Sequence, residues 1–255
     1  MKIAVLAGQG VSSYILFNRL WDAGYREIEI IFERHPSRIL MLRHRARKLG
    51  WATAISQIVF LLTIVPILRK LGRTRIREII ATNKLRTEKP GPAFFRVVDN
   101  INDPKVAKIL RETNPDVVIV NGTRIIRSSV LQATLAPILN THAGITPKYR
   151  GVHGGYWAIW CRDQGDFGVT IHLVDVGVDT GPVLHQSRPK ITNQDTFATY
   201  PILQQAASLP GMLHLLKQLE MARALTPIST TEGPGRQWYH PTLGQYLSGR
   251  LRGVK

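Results

Sequence analysis

An amide and an imidazole stand two positions apart at Asn140 and His142, in the segment Asn-Thr-His-Ala-Gly-Ile-Thr-Pro-Lys-Tyr-Arg-Gly. Residues at i and i+2 of an extended strand face the same side, so we expect both side chains to point into one site. The amide N–H can donate to a developing oxyanion, and the imidazole can move protons near neutral pH. The pair suits acyl transfer, although a turn-capping Asn and a loop His explain it better when it is taken alone.

A carboxylate follows in a second segment, where a predicted strand ends in the turn Asp-Val-Gly-Val-Asp-Thr-Gly-Pro at residues 175–182. A carboxylate of this turn held beside His142 would orient the imidazole ring and support its charged form. Each segment alone is a weak signal, whereas the two in this order are specific. Together they predict an amide, an imidazole and a carboxylate in one site.

Strands and helices alternate along the chain in a way that would bring these residues to one edge of a sheet. The predicted elements are strands at 2–7, 28–32, 116–121, 138–140 and 169–174, the last half-exposed, and helices over 11–23, 103–114 and from about residue 128. This alternation predicts an α/β fold with a doubly wound, mostly parallel sheet. Such sheets bind their ligands at the carboxyl ends of the strands, where Asn140 is expected.

A basic and apolar helical insertion interrupts this alternation over residues 33–93. Residues 34–89 hold 14 basic and 2 acidic side chains, a net charge of +12, out of +17 for the whole chain of 255 residues. A local cluster of this kind attracts phosphate-bearing partners, either nucleic acid or anionic lipid. An anionic membrane surface is therefore the candidate partner that we expect residues 34–89 to bind, and nucleic acid is the weaker candidate.

Residues 50–68 carry no charge and approach the length of a membrane span. The strands before and after the insertion are expected in one sheet, which excludes a single crossing, and basic residues flank both ends of the run without asymmetry. Two interpretations remain open. The segment is either a helix lying in an anionic interface, or a buried helix or dimer face.

These motifs resemble the folate-dependent formyltransferase family, which includes glycinamide ribonucleotide, methionyl-tRNA and sugar N-formyltransferases. The resemblance lies in Asn-x-His at 140–142, Pro-x-x-x-Gly at 147–151 and His-Leu-Val…Asp-Thr-Gly-Pro at 172–182. It implies a Rossmann-like sheet, oxyanion stabilisation by Asn140, proton transfer by His142, and control of the geometry and ionisation of His142 by Asp179. The run Ala-Gly-Ile-Thr at 143–146 departs from the family pattern.

The resemblance also implies 10-formyltetrahydrofolate as co-substrate. Its pterin would lie against Asn121, Gly122, Thr123, Arg124, Ile125 and Ile126 on one side, and against Val174, Asp175 and Val176 on the other. Acceptor contacts are expected at Gly10, Ser12, Ser13, Gly151 and His172. The first three begin a helix, where free backbone N–H groups can bind a phosphate, although a plain β–α turn explains them as well.

No metal is expected, because the spacing of the histidines in the second half of the chain matches no compact ligand motif. The single cysteine, Cys161, excludes an intramolecular disulfide. The N-terminus lacks the order of features in a signal peptide, so we expect a cytoplasmic protein, peripheral at the inner membrane face if the insertion is interfacial. The oligomeric state stays open.

The sequence thus predicts a catalytic domain over 1–190 and a helical, aromatic extension over 191–255 that packs on it. The predicted function is formyl transfer from 10-formyltetrahydrofolate to a primary amine of a small, phosphorylated acceptor, either an amino sugar or glycinamide ribonucleotide. Three alternatives remain: a methionyl-tRNA-type formyltransferase, a hydrolase of the same folate, and a non-catalytic RNA- or membrane-binding protein. The intact set of Asn140, His142 and Asp179 speaks against the last.

Overall fold

Seven strands form the central sheet of the computed structural model, which describes residues 1–34, 38–230 and 235–255. The strands are β1 (Ile3–Gly8), β2 (Ile28–Glu33), β3 (Phe95–Val98), β4 (Val117–Asn121), β5 (Ile138–His142), β7 (Val169–Leu173) and β8 (Val183–Ser187). Their order is β3-β2-β1-β4-β5-β7-β8, in which β7 is antiparallel to both of its neighbours, β5 and β8, and the other strand pairs are parallel. The mostly parallel, doubly wound α/β sheet predicted from the sequence is confirmed.

Helices cover both faces of this sheet. They are α1 (Val11–Asp22), α2 (Arg38–Leu49), α3 (Trp51–Val59), α4 (Val65–Leu71), α5 (Arg73–Thr82), α6 (Pro104–Thr113), α7 (Ser128–Leu131), α8 (Gly154–Trp160), α9 (Tyr200–Glu220) and α10 (Leu243–Leu251). A π-helical turn, Phe60–Ile64, joins α3 to α4, and single 3₁₀ turns occur at Pro92–Phe94 and Gln164–Asp166. A small second sheet pairs β6 (Tyr149–Gly151) with β9 (Arg236–Trp238).

The apolar runs form strands because both of their faces are covered. In β1, Ile3 and Val5 belong to the core on one side of the sheet, and Ala4 and Leu6 belong to the core on the other side. A parallel strand buried on both faces reads as a continuous apolar run, as this one does. On the second face, Asp103 caps the start of α6, since its side chain accepts a hydrogen bond from the backbone N–H of Lys105.

The prediction of a half-exposed strand at residues 169–174 is wrong. Residues Val169 to His172 of β7 are all buried. The strand lies between β5 and β8, and α9 packs across it, so the polar positions of the alternation face protein instead of water. The hydroxyl of Thr170, for example, hydrogen-bonds the carbonyl of Gly144 and the backbone N–H of Thr146.

The insertion forms helices α2 to α5 between β2 and β3, and one side of it joins the main core. Phe60 lies 5.1 Å from Phe197 and 5.0 Å from Tyr246, measured between ring centroids. The side chain of Gln57 donates a hydrogen bond of 2.6 Å to the carbonyl of His240. Trp51–Leu71 is long and apolar enough for a membrane span by length and composition alone, yet it is partly buried against the domain.

A crevice between the ends of β1 and β4 marks the point where the strand order reverses. Gly8 ends β1 and lies so close to the carbonyl of Gly122 that a Cβ at Gly8 would collide with it. Gly122 itself has a positive φ of 69°, which glycine adopts without strain. Open α/β sheets bind ligands at such a switch point, beyond the carboxyl ends of the strands.

Candidate active site

Neighbouring strands position the predicted catalytic residues at one edge of the sheet. Asn140 and His142 belong to the last three residues of β5, and Asn140 pairs in register with His172 of the antiparallel strand β7. Asp179 follows β7 in the turn before β8. Its backbone has a φ of 51°, a left-handed conformation that costs energy for residues other than glycine but is least unusual for Asp and Asn.

Asp179 lies at the centre of a hydrogen-bonded cluster. Its Oδ1 accepts from Nδ2 of Asn140 at 3.3 Å and lies 3.5 Å from Nε2 of His172. Its Oδ2 accepts from the backbone N–H of Gly151 at 2.9 Å and lies 3.3 Å from Nδ1 of His142. The structure therefore brings together the amide, the imidazole and the carboxylate, and it adds His172 as a fourth member.

The hydrogen bonds of His172 indicate which of its two ring nitrogens carries a proton. Its Nδ1 lies 2.7 Å from the carbonyl of Leu173, which requires a proton on Nδ1. The other nitrogen, Nε2, can then accept from the Asn140 amide, 3.0 Å away. In this tautomer both N–H groups of Asn140 have acceptors, one on His172 and one on Asp179. The side chain of His172 is buried and contacts the Asn140 amide.

His142 is buried between two hydrogen-bond acceptors. Its Nε2 lies 2.7 Å from the carbonyl of Tyr149, and its Nδ1 faces the Asp179 carboxylate. Burial lowers the pKa of the His142 imidazole below its ordinary value, although the Asp179 carboxylate and the Tyr149 carbonyl act in the opposite direction. The ring is therefore neutral near pH 7, and a proton gained at Nδ1 would be held directly by Asp179.

The Asp179 carboxyl is ionised. Burial alone would raise its pKa, but its contacts with His172, His142 and the backbone N–H of Gly151 outweigh burial and lower the pKa below the ordinary value. A carboxylate with several hydrogen-bond donors keeps its negative charge even when half-buried. Asp179 therefore supplies a fixed negative charge beside His142.

The loop after β5 closes the cluster from one side. Gly151 donates to Asp179, and Tyr149 accepts from His142, so the first and last residues of β6 contact the predicted catalytic groups. Gly144 makes the turn possible, because a Cβ there would lie 2.7 Å from Nε2 of His142 and collide with the Tyr149 carbonyl. Strand β9 pairs with β6 and places Trp238 opposite Gly151. No local pattern in the sequence indicates this pairing of β6 with β9.

The segment predicted to receive a pterin follows β4, next to Asn140. Val120 of β4 is in register with Asn140 of β5, so the segment begins beside the catalytic cluster. Its exposed members are Gly122 and Ile125, the latter with 61% exposure, whereas Asn121 and Ile126 are buried and Thr123 and Arg124 are half-buried. In the opposite predicted wall Val176 is 79% exposed and Val174 and Asp175 are half-buried. The exposed apolar side chains are thus available to a ligand.

Glu33 supports this segment and was not identified from the sequence. It is buried at the end of β2, and its carboxylate accepts from the backbone N–H groups of Ile101 and Arg124. It also pairs with the guanidinium of Arg124 at 2.5 Å. An acid at the carboxyl end of a predicted parallel strand was the available signal. Glu33 fixes the path of the chain on which the pterin contacts were predicted.

The predicted phosphate loop lies at the start of α1, across the crevice from β4. Gly10 precedes the helix without a side-chain cap, and a Cβ at Gly10 would meet open space. Ser12 is exposed, whereas Ser13 is buried and donates to the carbonyl of Gly8 at 2.7 Å. The Asn121 amide lies 3.0 Å from Oγ of Ser13 and 3.3 Å from Oγ of Ser12. Gly10 and Ser12 are thus open to a ligand, and Ser13 is structural.

In this cluster His142 and His172 are buried, whereas Asn140 and Asp179 are half-buried. A ligand therefore reaches the cluster from the side of Asn140 and Asp179. Within residues 1–34, 38–230 and 235–255, no group of three or more His, Cys, Asp or Glu side chains could hold a metal ion. The arrangement supplies a carboxylate, a neutral imidazole and an oriented amide, which can move a proton and stabilise developing negative charge.

Comparisons with known proteins identify a family model and several relatives that match this chain. The family model described as formyl transferase matches residues 44–206. Methionyl-tRNA formyltransferase of Finegoldia magna is 40% identical over 96 residues, which are 37% of this chain and 31% of that protein. The enzyme of the same name from Thermodesulfovibrio yellowstonii is 29% identical over 148 residues, 57% of this chain and 46% of that protein. The chain spans less than half the length of these relatives.

Solved structures share the fold at low sequence identity. A sugar N-formyltransferase from a Shewanella species superposes with a TM-score of 0.54 at 16% identity, covering 91% of this chain and 75% of that one. Glycinamide ribonucleotide transformylase 1 from Symbiobacterium toebii gives a TM-score of 0.55 at 18% identity, covering 92% of each chain. At such identities the likeness concerns the fold alone.

Proposed function

Since the chain belongs to the formyl transferase family, we propose that it transfers a formyl group from 10-formyltetrahydrofolate to a primary amine, with Asn140, His142 and Asp179 as catalytic residues. The observation that carries the proposal is the convergence of the Asn140 and His142 side chains on the Asp179 carboxylate. Asp179 contacts the Asn140 amide and the His142 ring, although 39 positions separate it from Asn140. A purely structural cluster has no use for a neutral buried imidazole between two acceptors.

The reaction needs one new bond, one broken bond and one relocated proton. The amine nitrogen bonds to the formyl carbon, and the bond from that carbon to the folate nitrogen breaks. The proton that the amine loses passes through His142 to the departing nitrogen. His142 suits this task because it is neutral before the step, and Asp179 stabilises the imidazolium while the proton is held. No metal or redox partner enters this balance.

Asn140 would stabilise the negative charge that develops on the formyl oxygen. His172 and Asp179 orient its two amide N–H groups. When the co-substrate binds, one of these N–H groups has to leave its acceptor in the protein and donate to the formyl oxygen instead. We assign to His172 and Gly151 the role of positioning residues, in place of the acceptor contacts predicted from the sequence. The backbone N–H of Gly151 donates to Asp179, and Nε2 of His172 contacts both the Asn140 amide and Asp179.

The co-substrate supplies the formyl carbon, and the chain offers surfaces that fit its flat ring. Ile125 and Val176 are exposed apolar side chains on the two predicted walls, and Glu33 holds the backbone of the first wall in place. The predicted contacts at Asn121, Gly122, Thr123, Arg124 and Ile126, and at Val174 and Asp175, remain part of this proposal. Their test is co-substrate affinity after substitution of Ile125 or Val176 by Ser.

We further propose that the acceptor is a small phosphorylated amine, bound near Gly10 and Ser12. The open start of α1 presents backbone N–H groups and a hydroxyl to the crevice, as phosphate-binding helix ends do. A second candidate acceptor is an aminoacylated tRNA, which the names of the curated relatives and the charge of +12 over residues 34–89 favour. Its phosphate contacts would make binding fall steeply with salt.

The deciding experiment incubates the purified protein with 10-formyltetrahydrofolate and separate amines, and measures tetrahydrofolate release together with formylated product. We would use phosphorylated and unphosphorylated amino sugars, glycinamide ribonucleotide and methionyl-tRNA. Release that depends on one acceptor supports the transferase and identifies its acceptor class. Equal release without any amine would instead identify a hydrolase. No release under any condition, from folded protein, would contradict both enzymatic readings.

A further inference from the structure

We propose that the exposed face of the helix Trp51–Leu71, with the basic residues around it, binds the surface of an anionic lipid bilayer, with the helix lying parallel to that surface. We call this surface the apolar stripe. Its members are the exposed apolar residues Trp51, Ile55, Val59, Leu62, Ile67 and Leu71. The inference is independent of the proposed catalytic activity, because it concerns a different surface.

The apolar stripe runs the full length of the helix. Trp51, Ile55 and Val59 are spaced four residues apart, as are Ile67 and Leu71, so each set lines one side of its helical segment. The π-helical turn Phe60–Ile64 lies between the two sets. A π turn holds more residues than an α turn, and this extra length keeps the second set on the same side as the first. Exposed large apolar residues aligned over about 30 Å mark an interaction surface.

The opposite side of the same helix is fixed to the protein. Ala54, Phe60 and Val65 are buried, and Phe60 and Val65 belong to the main core. Gln57 also donates to the carbonyl of His240. Strands β2 and β3, which precede and follow the insertion, pair with each other in one sheet. The helix therefore cannot leave the domain to cross a bilayer, and only its exposed side is available for lipid.

Charge around the stripe favours an anionic surface. The stripe helix contains no acidic residue, and exposed basic residues flank both of its ends: Arg43, Arg47, Lys48, Arg69, Lys70, Arg73 and Arg77. Only Glu78 and Glu88 oppose them between residues 34 and 89. An amphipathic helix with apolar residues on one side and Lys and Arg at its margins is the form that binds the interface of anionic membranes.

A groove of about 440 Å³ opens at the C-terminal end of the stripe. It begins at Leu68 and Leu71 and continues to Arg250 and Lys255 at the other side. Apolar and basic side chains thus share one depression, which is also lined by Glu78 and by the polar residues Asn193, Gln194 and Thr196. Nucleic acid would use the basic residues but would leave the exposed Ile and Leu side chains without apolar partners, so the lipid surface fits better.

The test measures vesicle binding by the whole protein. Purified protein is mixed at low salt with vesicles of phosphatidylglycerol and phosphatidylethanolamine, and in parallel with vesicles of phosphatidylcholine alone, and is separated by flotation. We expect binding to the anionic vesicles, little binding to the neutral ones, and release as the salt concentration rises. Brominated lipid should quench the fluorescence of Trp51, and the quenched component should vanish in Trp51→Phe.

Two pairs of variants separate the contributions. Leu62→Ser with Ile67→Ser should weaken binding at least roughly tenfold, whereas the control Leu135→Ser, at another exposed apolar position, should not. Arg69→Gln with Lys70→Gln should weaken it roughly fivefold for each charge removed. Its control is Lys105→Gln with Lys108→Gln on α6. All of these positions are exposed, so folding should be retained.

Three results would overturn the proposal. The first is absence of binding to anionic vesicles at low salt. The second is an equal loss of binding in the control variants. The third is a stripe that mediates self-association, detected as a dimer that Leu62→Ser with Ile67→Ser dissociates while vesicle binding is unchanged. Formyl transfer is measured on the same samples, so failure of lipid binding with retained activity leaves the proposed reaction intact.

Discussion

Nδ1 of His142 lies 3.3 Å from the Asp179 carboxylate, while Nε2 of the same ring lies 2.7 Å from the carbonyl of Tyr149. A neutral imidazole has one N–H and can satisfy only one of these acceptors, whereas the imidazolium satisfies both. Burial opposes the charged form. Burial prevails, so the ring is neutral at rest, while the second acceptor stabilises the imidazolium once a proton is taken up.

The position of His142 predicts the acid limb of the pH–rate profile. Transfer needs the neutral ring, and burial places the pKa of His142 below its ordinary value of 6.5. The acid limb that His142 contributes to kcat, measured at saturating acceptor, should therefore be centred below pH 6.5. Steady-state assays on both sides of this pH measure the limb. A limb centred above pH 6.5 would contradict the assignment.

Replacement of Asp179 by Asn removes the charge while keeping the shape of the side chain. We expect kcat to fall by roughly two to four orders of magnitude, because the imidazolium loses its partner. The residual acid limb should move to still lower pH, because the carboxylate raises the pKa of His142. Asp22→Asn, which alters an exposed ion pair with Arg86, is the matched control and should retain activity.

A methyl group at Gly144 should disturb the geometry of the site without removing a functional group of the three proposed catalytic residues. The Cβ of Gly144→Ala would collide with the Tyr149 carbonyl and lie 2.7 Å from Nε2 of His142. We expect a loss of about 1–3 kcal/mol in the free energy of unfolding, together with lower kcat. Urea denaturation measures the first effect. Gly244→Ala, with open space around its Cβ, should be neutral or slightly stabilising.

Ser12→Ala should discriminate between phosphorylated and unphosphorylated acceptors. If the start of α1 binds a phosphate, loss of the hydroxyl should raise KM roughly tenfold for the phosphorylated amine and leave kcat nearly unchanged. The KM of an unphosphorylated analogue should not change. Ser129→Ala, at an exposed position on the short helix α7, is the control. Equal effects on both amines would place the acceptor phosphate elsewhere.

A pair of contacting histidines predicts loss of stability in acid. Nε2 of His153 lies 3.1 Å from Nδ1 of His240, and burial, with the charges of Arg45 and Arg69, lowers the pKa of His153 from 6.5 to about 4. The unfolded chain binds more protons between these two values, so stability should be complete above pH 6.5 and fall as the pH drops towards 4. The loss for His153 amounts to at most about 3 kcal/mol.

Urea denaturation at pH 7.5 and pH 5 measures this dependence. In His153→Asn the difference between the two pH values should shrink. Asn suits the position because the backbone of His153 is left-handed, with φ of 59°. The exposed residue His214 provides the control, and His214→Asn should keep the full pH dependence. An unchanged pH dependence in His153→Asn would show that other groups are responsible.

The strands and the shared side of Asn140 and His142 could be predicted from the sequence because both depend on short-range order. Continuous apolar runs predicted β1 and β4, and the spacing of Asn140 and His142 predicted a shared side of β5. Asp179 was identified through the family motif, since no local pattern reveals a partner 37 positions beyond His142. The geometry of the cluster then follows from the pairing of β5 with β7.

Other features depend on long-range contacts and could not be read from local patterns. The hydrogen bond from Asn140 to His172 depends on antiparallel register, and burial of β7 depends on α9 packing across it. Alternation along β7 gave the wrong exposure because polar residues can face buried hydrogen-bond partners as well as water. The apolar helix is neither wholly buried nor wholly free, a mixture that composition alone does not resolve. The division at residue 190 remains a prediction.

The pairing of β6 with β9 has a consequence for how the protein acquires activity. Arg150 of β6 donates to the carbonyl of Gly235, 85 positions later, and β9 follows at once. A nascent chain that has emerged only as far as β8 already contains every proposed catalytic residue, but the loop that holds Asp179 and His142 lacks its outer support. Contacts of such high sequence separation form late. Completion of synthesis, or a protease nick before Arg236, would thus decide whether the centre is assembled.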